Sequence, residues 1–183
     1  MMRACSIAVM SACVLVAGAV RAAAQEKGQA GITMGYPASI GVLWHLSDRV
    51  AIRPEFSFTN TDSSSASLVS AGSQFWSLGT GVSALFYSAA HDNLRTYVSP
   101  RLICTRTHGD SDITTTTATS YSFAGMFGAQ YSLGRRFGVF GEIGVGYARQ
   151  TGSTTTELIG LTRVSSHSDS IGTRTGVGVV LYF

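Results

Sequence analysis

The chain has 183 residues, of which 13% are charged, 45% are hydrophobic and 21 are glycine. A soluble globular domain carries about 25% charged residues, and a disordered chain has less apolar content and more net charge, so neither description fits. Thirteen basic residues fall to eleven, against ten acidic, once Arg3 and Arg21 leave with the N-terminal leader, and Lys27 is the one lysine; a basic surface for nucleic acid is excluded.

The leader comes first. Arg3 precedes an apolar stretch from Ile7 to Val20, and Ala22-Ala23-Ala24 stands before Gln25. This is the pattern of a cleavable signal peptide over 1–24, with one domain over 25–183. The apolar stretch is interrupted by Ser11 and is shorter than the ~20 residues a membrane helix needs. Cys5 and Cys13 leave with it. Cys104 then has no partner in the mature chain and reads as a small hydrophobe on an outward face.

Beyond the leader the dominant hydrophobic period is two, which predicts strands. The first covers 28–35 and turns tightly at Tyr36-Pro37-Ala38 into the second, 39–46. After Ser47-Asp48-Arg49 the third runs over 50–59, with Val50, Ile52, Phe56 and Phe58 on one face and Ala51, Arg53, Glu55 and Ser57 on the other. The remaining strands are expected at 74–87, 94–106, 118–133, 137–149 and 171–183. Short connections alternate with three long polar ones, 60–73, 107–117 and 150–170, which read as loops, with the Thr114–Thr117 and Thr154–Thr156 runs at their tips. The pattern predicts an all-β, eight-stranded antiparallel up-and-down barrel. Pro54 and Pro100 fall inside strands, where a missing donor predicts bulges or locally broken pairing.

The polar face is made mostly of Gly, Ser, Thr and Ala, a poor exterior in water but a good lining for a narrow barrel. Aromatic spacing points the same way. Trp76 and Phe86, Tyr121 and Tyr131, and Phe137 and Tyr147 are pairs ten residues apart on one strand face. Ten residues at ~3.3 Å, tilted by roughly 40°, climb about 25 Å, the height of a lipid-facing band between two aromatic belts. Trp44, Phe86, Tyr131, Phe137 and Phe183 would form one belt, and Phe58, Trp76, Tyr121 and Tyr147 the other.

The last residues, Thr175-Gly-Val-Gly-Val-Val-Leu-Tyr-Phe183, resemble the closing strand of bacterial outer-membrane β-barrel proteins. The opening hairpin, Gly31 to Trp44 followed by Ser47 to Phe56, resembles that of small barrels of the OmpA/OmpX type. The resemblance implies residence in the outer membrane among its lipids. It also implies reading of Val179, Leu181 and Phe183 by the barrel-assembly machinery. Nothing in the sequence after Phe183 matches the peptidoglycan-binding tail of some larger relatives, so cell-wall tethering is not implied.

With apolar residues outward, Arg53, Glu55, Arg95, Arg101, Glu142 and Arg174 face inward. Charges enclosed in so narrow a lumen must pair, because an unpaired buried charge is very costly, and four arginines against two glutamates leave two cations to be met otherwise. A static plug is the expectation, with a gate as the alternative. No metal spacing links His45, His91, His108 and His167, and no glycine cluster precedes a helix as a phosphate cradle would; no cofactor is expected. His167-Ser168-Asp169 has the residue types for acyl transfer, but neighbours on a strand point to opposite faces. The expected function is non-enzymatic: a structural or surface-interaction protein of the outer membrane acting through its Ser/Thr-rich external loops. A narrow gated pore, a lipid-acyl hydrolase and a soluble periplasmic barrel are the alternatives.

Overall fold

Alternating residues become eight paired strands in the computed structural model, which describes residues 28–37, 39–65, 71–91, 93–134, 136–156 and 162–183. The leader lies outside them. The strands are β1 (Ala30–Tyr36), β2 (Ser39–Ser47), β3 (Val50–Ser65), β4 (Ala71–His91), β5 (Leu94–Ser111), β6 (Thr114–Ser132), β7 (Phe137–Thr156) and β8 (Thr162–Tyr182). Each pairs antiparallel with the next, and β1 pairs with β8 through Gly31↔Tyr182 to Tyr36↔Val177, closing the ring.

The two faces of the wall differ in chemistry. Ile32, Val42, Trp44, Phe56, Phe86, Val98, Leu102, Phe123, Phe127, Ile143 and Val145 are exposed on the outside. Their strand neighbours Thr33, Leu43, His45, Arg53, Ser83, Leu85, Tyr97, Ser99 and Glu142 are buried inside. An apolar exterior of this extent is unsuited to water, whereas lipid tails match it. The fold is a transmembrane β-barrel of the up-and-down kind.

Two features differ from the sequence-based expectation. First, the polar segments read as long loops are mostly strand. β5 and β6 are joined by a two-residue turn, Asp112-Ile113, and the Thr114–Thr117 run pairs with Thr156–Ser153. Threonine is β-branched and fits a pleated sheet, and above the lipid both faces of a strand are free to be polar. Hydropathy therefore hid the continuation. Thr116 and Thr154 even share a hydroxyl contact at 3.3 Å across the ladder.

Second, the lumen is not filled by charged and small residues alone. Toward the end that carries the short turns and the C-terminus, Leu43, Ala51, Leu85, Tyr87, Tyr97, Val180 and Tyr182 form a buried cluster.

Both prolines interrupt the ladder on one flank and keep the register. Pro54 pairs with Val82, but the β2–β3 ladder skips from Gly41↔Glu55 to Trp44↔Ile52. Pro100 pairs with Gly125, while the β4–β5 ladder skips from Ser83↔Arg101 to Phe86↔Val98. A proline has no N–H for one neighbour, and the pairing breaks there. Register shifts fall elsewhere, at His45/Ser47 and Tyr87/Ala89, near the short turns.

Candidate functional site

The middle of the lumen is closed by four charged side chains from three different strands. Arg53 and Glu55 are two residues apart on β3 and so share the inward face; Arg101 comes from β5 and Glu142 from β7. Arg53 Nε lies 2.6 Å from Glu55 Oε1, and its Nη2 donates to Glu142 Oε1 at 2.7 Å. Arg101 Nη2 pairs with Glu142 Oε2 and stands 3.5 Å from Glu55 Oε1. Each arginine therefore meets both glutamates, and the ring is neutral. Arg53 is 2% exposed and Glu142 5%, while Glu55 and Arg101 are half-buried, so the ring is largely withdrawn from water, and its mutual ion pairing is what makes that burial tolerable.

Neighbours fix the ring's geometry. Tyr97 donates its hydroxyl to Glu142 Oε1 at 2.9 Å. Arg101 Nε donates to Ser83 Oγ at 3.0 Å, and the Arg53 guanidinium lies 5.0 Å from the Phe140 ring centre. Tyr97 has room for this only because position 128 is glycine: a Cβ there would collide with the tyrosine ring.

Below the ring, on the short-turn side, lies a second layer that the sequence reading missed. Tyr87 donates to Gln130 Oε1 at 3.0 Å, Gln130 Nε2 donates to the Tyr182 hydroxyl at 2.6 Å, and His45 Nε2 lies 3.3 Å from that hydroxyl. The His45 ring stacks on Tyr87 at 5.5 Å. These residues alternate with outward apolar ones, so parity alone could have found them. Attention to charge passed over the tyrosines.

The two remaining inward arginines stand apart from the ring. Arg95 donates to the Asp48 carbonyl at 2.7 Å and lies 4.7 Å from the Tyr87 ring centre, at the short-turn end. Arg174 lies beyond the ring on the opposite side. Of the residues read as aromatic belts, Trp44, Phe86, Tyr131, Phe137, Phe58, Tyr121 and Tyr147 are all exposed. Trp76 is half-buried, its ring 5.7 Å from that of His108. Leu181 and Phe183 are exposed, and Val179 pairs with Met34 and Val139.

Among the described residues no cluster of His, Cys, Asp and Glu has the arrangement to hold a metal ion. His167 Nε2 contacts Asp169 at 3.1 Å on the outer face of β8, and Ser168, one residue from each, points to the other face.

No family model matches the chain, and no curated protein matches it. Among solved structures, a major outer membrane protein from Thermus thermophilus superposes with a TM-score of 0.55 at 11% identity, covering 85% of this chain and 98% of that one. The outer membrane protein AlkL, solved in lipid bilayers, gives 0.55 at 12% identity, covering 90% and 94%. At such identities the likeness is one of fold: the chain has the architecture of small outer-membrane β-barrels.

Proposed function

We propose that this chain is an integral outer-membrane barrel with a sealed lumen, non-enzymatic, which acts through the polar β-extension it raises beyond the lipid. The short turns and C-terminus face the periplasm in this reading, and the ends of β3 to β8 distant from them face outward. Membrane lipid surrounds the apolar wall, and the barrel-assembly machinery reads Val179, Leu181 and Phe183 during insertion. The external contacts are made by Ser- and Thr-rich strands rather than by loops.

One observation carries the sealed-lumen reading: the mutual pairing of Arg53, Glu55, Arg101 and Glu142 across the barrel. An ion passing through would have to break a buried, fully paired ring, and breaking one such pair costs about 3–5 kcal/mol. The hydrogen-bonded tyrosine layer below supports it with a second barrier.

Purified protein in planar bilayers provides the test. The expected result is no unitary conductance for the wild type, in a preparation that shows heat-modifiable gel migration and is released from cells only by detergent. Steady conductance steps would overturn the sealed lumen, and release without detergent would overturn the membrane placement.

A further inference from the structure

The barrel wall has uneven height. β1 ends at Tyr36 and β2 begins at Ser39, but β8 continues from Val177, the partner of Tyr36, to Thr162. On the other side β3 continues from Phe56, the partner of Ile40, to Ser65. Among the described residues, 162–176 of β8 therefore pair only with β7, and 57–65 of β3 only with β4. Directly below, β1 and β2 fill the wall between these edges. The gap is thus two strands wide at its base, or about 14 Å from β3 to β8.

Both edges turn backbone groups to the gap. Phe183 donates its N–H to Ala30 on the β1 side, whereas Tyr182 donates to Arg136 on the β7 side. Successive residues of an antiparallel strand direct their N–H and C=O to opposite neighbours, and β8 keeps its register with β7 throughout. The odd-numbered residues from Arg163 to Thr175 therefore present N–H and C=O to the gap. On β3, Arg49 accepts from Tyr87 of β4, and the ladder that breaks at Pro54 is the one to β2. The even-numbered residues Phe58, Asn60, Asp62 and Ser64 hence face the gap in the same way.

Neither edge is guarded. Exposed edge strands are ordinarily blunted by lysine, proline, a bulge or shortness. Residues 57–65 and 162–176 contain no lysine and no proline, and the ladders behind them run without a register shift. Thr162–Thr175 is exposed at every position, on both faces of the sheet, and so is Phe58–Ser63. At the base, Ser57 and Gly176 line a cavity of about 210 Å³ with Tyr36, Pro37 and Ser39, so the gap leads down to the Arg–Glu ring.

We propose that this gap receives a two-stranded β-hairpin of an external polypeptide, which enters turn first and completes the cylinder. β3 rises away from the short turns and β8 descends towards them. A hairpin entering turn down descends beside β3 and rises beside β8, so each new pair is antiparallel like those of the wall. Two strands joined by a tight turn fill a two-strand gap, whereas a single strand leaves one edge open. A second copy in the same membrane raises its hairpins in the same direction as this one and cannot offer a turn from above. Recognition is by backbone hydrogen bonds, as in strand addition to any open sheet, and the Thr, Ser and Asn side chains of the edges suit polar, β-branched partner strands. The inference rests on the reading that the polar extension makes the external contacts, and names what it contacts.

The test uses the full barrel in phosphatidylcholine nanodiscs and a fluorescent synthetic hairpin. Its two Thr-rich strands, of about eight residues each, are joined by Asn-Gly and cross-linked at the open end. Anisotropy is read against empty nanodiscs. The hairpin should bind saturably, and N-methylation of the amides on its two outer edges should abolish binding. Ser165→Pro on β8 and Asn60→Pro on β3 each remove a gap-facing donor and leave the ladder behind with its own. Each should weaken binding roughly tenfold, while Ser165→Ala and Asn60→Ala should leave it unchanged. Heat-modifiable migration confirms folding of each variant. Binding indifferent to N-methylation or to both prolines would overturn the proposal. Loss with Ser165→Pro alone would mark a single added strand and overturn the hairpin. A barrel that embeds in membranes but ignores the hairpin refutes this inference alone; one that stays soluble refutes the placement beneath it.

Discussion

Tyr97 on β5 donates its hydroxyl to Glu142 on β7 at 2.9 Å, and so joins the aromatic layer of the lumen to the ring of charges above it. Glu142 is the acceptor for three donors at once, from Arg53, Arg101 and Tyr97. Stability of the lumen therefore concentrates on one carboxylate.

Glu142→Gln removes the charge that both arginines share. Leaving a buried cation uncompensated costs about 3–5 kcal/mol, so the variant should unfold at clearly lower urea concentration than the wild type, followed by tryptophan fluorescence in detergent. The double replacement Arg53→Met with Glu142→Met removes a matched pair and should lose less than Glu142→Gln alone. An equal or larger loss would mean that the ring is held by shape rather than by charge.

Tyr97→Phe keeps the packing and deletes one hydrogen bond to a charged acceptor, worth about 1.5–3 kcal/mol. Gly128→Ala should be more damaging, since its methyl group meets the Tyr97 ring. Combining Gly128→Ala with Tyr97→Leu should recover part of that loss in the same unfolding assay. Without recovery, the cause of the damage would lie elsewhere than in the tyrosine ring.

Thr116 pairs with Gly109 on one side and Thr154 on the other, well beyond the aromatic level. Thr116→Pro removes a ladder donor and should open the polar extension. Limited proteolysis should then cut the extension faster, while heat-modifiable migration of the membrane-embedded part stays unchanged. Protection equal to the wild type would show that the extension does not rely on this ladder.

Two exposed carboxylates on the extension titrate low. The hydrogen bond from Thr115, followed by that from His108, holds Asp110 below the ordinary aspartate range. The Tyr147 hydroxyl, then His167 and Arg149, does the same for Asp169. A folded value below the unfolded one means that stabilisation is complete above the unfolded value, near pH 4, and is lost as pH falls through the lower folded one. NMR titration of the carboxyl carbons should find both groups ionised below pH 4. Tyr147→Phe should return Asp169 toward its ordinary value and leave Asp110 where it was.

Much of this fold is legible in period-two patterning. Val50, Ile52, Phe56 and Phe58 face out, as their spacing requires, and the turn expected at Ser47-Asp48-Arg49 falls at Asp48-Arg49, between β2 and β3, because hydrophobicity stops there. Where hydrophobicity carries no information, the reading failed. Thr114–Thr117 and 162–170 alternate nothing, since outside lipid neither face has to be apolar, and only cross-strand pairing reveals them as sheet. The inward charges could be located by parity, but their partners could not. Strand tilt and stagger decide which heights coincide, so Arg53 meets Glu142 while Arg174 does not. The differences in strand length were illegible for the same reason, since the far ends of β3 and β8 lie in the segments read as loops.

The seam between first and last strands has a mechanical meaning. β7 and β8 are zipped through twenty residue pairs, whereas β1 and β8 meet through only six. β1 and β2 are likewise joined by six pairs, and β2 and β3 by five, so the cylinder is thinly fastened along this whole side and parts there first. Amide protons of β1 and β2 should thus exchange soonest among the strands, and the last step of closure should be the latching of this short clasp.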